Sequence, residues 1–201
     1  MNEDLQKIIK ETAEEVGKIK YVDSSKIPSI DLYMDQITTF MEEQLTPTKR
    51  YADDKILTKT MINNYAKNEL IPPPIKKKYC KEHILLLTFI YYYKNLLSIN
   101  DIQKLISPLI DKFYQNEESE LTMTDLYDEV FKMCDAKRDY FKESIERNLN
   151  IAQGTFENVP EEDKDYLQLF SFISILSQDV YAKLLVIEKL LDTLPEPDNK
   201  K

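Results

Sequence analysis

Thr60, Asn63, Asn64 and Lys67 recur at the three- and four-residue spacing that lays side chains along one face of a helix. Their chemistry is that of groove reading. An asparagine carboxamide can pair bidentately with adenine, and a threonine hydroxyl can donate or accept. Lys59, just before them, and Lys76, Lys77 and Lys78, just after, carry the point charges that hold phosphates. Phosphate contacts fix register without reading sequence. Between the polar positions stand Met61, Ile62 and Tyr65, whose spacing predicts an inward, packed face. The same pattern also fits a helix whose polar face is merely solvated beside a soluble lysine loop.

The charge distribution is uneven, and taken alone it fits the soluble lysine loop better than the groove-reading unit. The chain of 201 residues has a formal net charge of -9. Residues 48–104 nevertheless hold eleven basic and five acidic side chains, a net +6, while the segments on either side are acidic. One positive face on an acidic protein is a means of engaging a polyanion from one side only.

Other constellations carry less. Cys80 and His83 are three residues apart, as two zinc ligands can be, but His83 is the only histidine and Cys134 is remote. A closed zinc site needs four ligands, so no metal is expected. Tyr91, Tyr92 and Tyr93 offer stacking surfaces, yet an all-apolar helix is a core helix. The carboxylate clusters "EEDKD" and "DEVFKMCD" lack the Glu-x-x-His pairs of di-iron bundles and read as solvated faces. With no glycine-rich phosphate loop and no nucleophile elbow, neither catalysis nor a cofactor is expected.

These residues need elements to position them. Hydrophobic residues make up 42% of the chain and charged residues 31%, ordinary globular usage. Only two glycines occur, Gly17 and Gly154, which argues against tight hairpins and for an all-α protein. The periodicity predicts helices over 3–17, from about 32 to 45, from 58 to about 66, from 81 to about 97, over 100–113, from 124 to about 151, and from 161 to about 194. Ser29 or Asp31 is the expected cap of the second, and "SIND" at 98–101 that of the fifth. Pro72, Pro73 and Pro74 must be extended. The expected division is an N-terminal helix and linker over 1–28, a central domain over 29–115, and a C-terminal helical region over 116–201. The end "DNKK" is the one biased tract.

The stretch from Leu57 to Ile106 resembles the DNA-binding unit of MerR-type regulators. Thr58 falls where that family has its capping serine, Ile62 and Tyr65 match its apolar and aromatic core positions, and "LIPP" (70–73) matches its exit. Lys76 to Tyr79 fall in its wing, here shortened, and "LSINDI" (97–102) matches its last helix. Asn63 replaces the family's arginine, Glu69 its closing glycine, and the glycine usual before the last helix is missing after Leu96. Over a longer span, "IPSIDLYMDQITTFMEEQL" and "NELIPPPIKKKYCKEHI" resemble a bacterial family known as domain of unknown function number eighteen thirty-six.

The resemblance implies a winged helix-turn-helix with a truncated wing, followed by a C-terminal helical hairpin or bundle. It implies a transcription regulator that binds double-stranded DNA, and the residues' own chemistry makes Lys59, Thr60, Asn63, Asn64, Lys67, Lys76, Lys77 and Lys78 the expected contacts. The competing expectation is a helical protein-interaction module that keeps this fold without binding DNA. The C-terminal helices would serve dimerisation, giving a homodimer, or the sensing of a small-molecule effector. The longest strongly apolar run, Ile84 to Tyr93, is too short to span a bilayer, and the N-terminus is acidic and amphipathic. A cytoplasmic protein with free thiols and no membrane contact is therefore expected.

Overall fold

The computed structural model describes residues 1–197, so the lysine-bearing end at 198–201 lies outside the described residues. Among the described residues the fold is all-α apart from one two-stranded sheet. The helices gather into two compact units.

Among the described residues, the larger unit comprises Lys20–Lys132 and the stretch 188–197. It opens with strand β1 (Leu32–Tyr33), which runs into helix α2 (Met34–Leu45). Helices α3 (Lys59–Lys67), α4 (Lys81–Tyr93), α5 (Ile99–Phe113) and α6 (Met123–Asp135) follow, with strand β2 (Lys78–Tyr79) between α3 and α4. The strands pair antiparallel, Leu32 opposite Tyr79 and Tyr33 opposite Lys78.

Helix α4 is the axis of this unit. Ile84, Leu85, Leu86, Leu87 and Ile90 are all 0% exposed. A helix apolar all round can be stable only where neighbours cover every side, and α4 shares its core cluster with residues of β1, α2, α3, β2, α5 and α6. It stops at Tyr93, short of the expected Leu97, in a tightened last turn where the Tyr93 carbonyl accepts from both Leu96 N–H and Leu97 N–H (2.9 Å each). Lys94, just past the end, donates Nζ–H to the Ile56 carbonyl (2.6 Å) and lies over the Tyr91 ring. Burial lowers its pKa.

The caps follow side-chain chemistry. Ser98 Oγ accepts from Asp101 N–H (3.1 Å) and starts α5 as the sequence predicts. Helix α2 is different: Leu32 and Tyr33 are taken by the strand, so neither Ser29 nor Asp31 caps it. Gln36 Oε1 instead accepts from Tyr33 N–H (2.8 Å).

The smaller unit comprises Met1–Ile19 and Met133–Ile187. Helix α1 (Glu3–Lys18) packs along α7 (Arg138–Gln153), and α8 (Glu161–Leu191) contributes its residues up to Ile187. Its buried apolar cluster is Leu149, Ala152 and Phe172. Gln168, buried, donates Nε2–H to the carbonyls of Gln153 (2.7 Å) and Thr155 (3.1 Å), tying α8 to the end of α7.

The single helix expected from 124 to about 151 is thus two, α6 and α7, parted at Ala136 and Lys137. The break has a packing cause. Met123, Tyr127 and Phe131 belong to the larger core, whereas Leu149 and Ala152 belong to the smaller.

Candidate nucleic-acid interface

Helix α3 is short and two-faced. Thr58 Oγ1 accepts from Met61 N–H (3.2 Å), so the threonine caps the helix. Ile62 is fully buried and Tyr65 nearly so, while Lys59, Thr60, Asn63, Asn64 and Lys67 are exposed. Thr60, Asn63, Asn64 and Lys67 share one face, at the spacing that predicts it.

The exit from α3 is a Schellman turn. Leu70 N–H donates to the Tyr65 carbonyl (2.9 Å) and Glu69 N–H to the Ala66 carbonyl (3.3 Å), with Leu70 buried beneath. Glu69 holds the left-handed conformation, φ 57°, that usually falls to glycine.

A second left-handed feature lies just beyond the prolines. Ile75 and Lys78 exchange both backbone hydrogen bonds (3.0 and 2.9 Å), closing a two-residue hairpin whose tip is Lys76 and Lys77. Their φ values are 51° and 64°, the signature of a type I′ turn, whose usual residues are asparagine and glycine. A residue with a Cβ at such φ costs about 1–2 kcal/mol. Both lysines are exposed and neither forms an ion pair among the described residues.

Two contacts, joined through the start of α2, string the hairpin to the start of α3. Lys78 Nζ lies 5.2 Å from the centre of the Tyr33 ring. Tyr33 leads directly into α2, whose first turn holds Asp35, and Asp35 forms an ion pair with Lys59. Lys59 therefore carries a carboxylate partner at its charge, although both groups stand in solvent and hold each other weakly. Tyr33 and Asp35 were invisible as site residues in the sequence because nothing in their spacing ties them to residues 59–78.

His83 fastens the hairpin from below. It is 1% exposed. Nδ1 accepts from the Cys80 N–H (3.1 Å), so that nitrogen carries no proton, and Nε2–H donates to the Pro72 carbonyl (3.1 Å). The ring stands edge-on to Tyr79 and Tyr114. Burial lowers its pKa below the ordinary 6.5, opposed by its bond to Pro72 and by Glu82 and Asp31. Cys80 Sγ lies 3.0 Å from Nδ1, but burial pushes the thiol's pKa up, away from thiolate chemistry. The pair is a clamp. No cluster of three metal-ligating side chains forms among the described residues.

The larger unit thus defines a class of architecture: a strand, two helices and a lysine-tipped hairpin laid over one central apolar helix. The chain belongs to the family described as domain of unknown function (DUF1836), whose model matches residues 22–130. That span coincides almost residue for residue with the unit's continuous part, Lys20–Lys132. No curated protein and no solved structure matches the chain.

Proposed function

We propose that the protein is a DNA-binding transcription regulator of MerR-like type, reading duplex DNA with α3 and gripping phosphates with the hairpin. The observation that carries this is the sidedness of α3. Every group suited to base or phosphate contact on it is exposed, while Ile62 and Tyr65 are sunk into the core. The order strand, helix, helix, hairpin supports the same reading, as does the pair of unpartnered lysines held at a strained tip.

The test is duplex binding over a range of salt. Affinity should fall steeply as salt rises, and replacing Lys76, Lys77 and Lys78 with glutamine should flatten the logarithmic slope by up to about 2.7 per protomer. That loss should be nearly equal for all sequences. Asn63→Ala or Asn64→Ala should instead narrow the gap between preferred and random DNA by about 1–3 kcal/mol.

A second reading has its own observation. Ile30 and Tyr33, beside and in β1, and Ile75, at the base of the hairpin, are 68%, 52% and 57% exposed, apolar surface that suits a protein partner. If the wild type binds no duplex even at low salt, the interaction-module reading takes its place.

A further inference from the structure

The chain returns to the larger unit after α8. Residues 188–197 belong with Lys20–Lys132, although the family's match ends at residue 130. Leu191, the last residue of α8, is buried, and two turns follow it. Thr193 N–H donates to the Leu190 carbonyl (3.1 Å) and Leu194 N–H to the Leu191 carbonyl (3.0 Å). In "PEP" (195–197), each proline fixes its own φ and holds the residue before it extended. A segment so restricted loses little freedom on docking.

An ion pair and a cavity hold it. Glu196 Oε1 lies 2.5 Å from Lys104 Nζ on α5. The lysine side chain is 17% exposed and the glutamate's 76%, so the cation is largely withdrawn from solvent while its partner is not. The bond to Glu196 raises the Lys104 pKa above its ordinary 10.5 against burial, and the charges of Asp192 and Asp101 act in the same sense. Pro197 walls a cavity of about 240 Å³ together with Ala66, Glu69, Pro72, Gln103 and Ser107. Ala66 and Glu69 flank Lys67, an expected duplex contact, and Gln103 Nε2–H donates to the Asn68 carbonyl (3.4 Å). Lys104 thus stands next to the residue that ties α5 to the end of α3.

Lys104 is the last basic residue of the net +6 stretch. A lysine is a compact charge on a flexible stem, so it can exchange a carboxylate for a phosphate without any movement of its helix. We propose that residues 192–197 form a displaceable strap. Docked, Glu196 masks Lys104 and sets its own charge and that of Asp192 beside the end of α3; displaced, it leaves Lys104 to a duplex phosphate. An ion pair with one partner in solvent shifts an equilibrium by about 5-fold or less, so DNA can open the strap without unfolding what lies beneath. This inference rests on the duplex-reading role of α3, but the docking of the strap is measurable apart from it.

Duplex binding by variants of the full chain tests the masking. Glu196→Gln should bind duplex DNA about 2- to 5-fold more tightly than the wild type, a gain that no folding defect produces. Lys104→Gln should bind more weakly and flatten the logarithmic salt slope by about 0.9, the share of one phosphate contact. With both substitutions in place, the gain from Glu196→Gln should largely disappear, because its partner is gone. Docking is read without DNA, from the proton–nitrogen nuclear Overhauser values of the Thr193, Leu194 and Glu196 amides. They should be those of ordered backbone in the wild type and should fall in Lys104→Gln. Values unmoved by that substitution overturn the latch. A wild type that binds duplex with an affinity indifferent to both substitutions overturns the masking alone and leaves the reading of α3 standing. A wild type that binds no duplex overturns that reading and the masking with it.

Discussion

His83 joins two segments that sequence separates, the carbonyl of Pro72 and the amide of Cys80, through opposite edges of one ring. Only the neutral imidazole can do this, because a proton on Nδ1 would face the Cys80 N–H. The unfolded chain titrates near 6.5, while the buried ring binds its proton at lower pH. The clamp's stabilisation is therefore complete above pH 6.5 and is lost as pH falls toward the folded value. His83→Ala should cost about 2–4 kcal/mol at pH 7.5, from two unmet backbone groups and the vacated ring volume. Thermal melts of the two proteins should converge as pH drops from 7 to 5. A gap that stays constant over that range would mean the imidazole is not the titrating group. Nothing in the spacing "CKEH" distinguishes a clamp from half a metal site, since the Pro72 carbonyl is eleven residues away and carries no side-chain signature.

At the scale of elements, α3 and α5 were legible because their starts are side-chain events. Thr58 and Ser98 each close a turn that a reader of "LTKTM" or "LSIND" can foresee. Two features were not legible. A two-residue strand has no periodicity, so the pairing of Leu32 with Tyr79 leaves no trace in the sequence. The break between α6 and α7 falls at Ala136 and Lys137, good helix formers, and only the division of their flanking residues between two cores explains it. The left-handed positions offer a sharper check. Glu69→Gly should stabilise the fold by about 1 kcal/mol, and Lys76→Asn with Lys77→Gly by about as much, each measured by urea titration. If the lysines are held at that tip for their charge, the second variant should be more stable yet bind duplex DNA more weakly. Equal or tighter binding would remove the hairpin from the proposed interface.

On the scale of the whole molecule, two cores of unequal size imply unequal resistance to opening. Stability within a protein is graded, and local openings draw on the regions with the fewest buried contacts. Amides of α4, where Ile84 to Leu87 are sealed on every side, should exchange with solvent only through global unfolding. Amides of α1 and α7, whose unit buries Leu149, Ala152 and Phe172, should exchange through smaller openings. Hydrogen exchange followed by mass spectrometry should therefore show protection in α1 and α7 lower than in α4 by several orders of magnitude at low protein concentration. Phe172→Ala should abolish the weaker set, because the cavity it leaves costs about 3–5 kcal/mol from a cluster of three. The α4 amides should keep their protection. Raising the protein concentration supplies the decisive contrast. If the C-terminal helices pair in a homodimer, mass action raises protection in α7 and α8 with concentration and leaves that in α4 unchanged. Uniform protection across all of these helices would show that the chain unfolds as one cooperative body, and the larger core would then have to sustain the smaller.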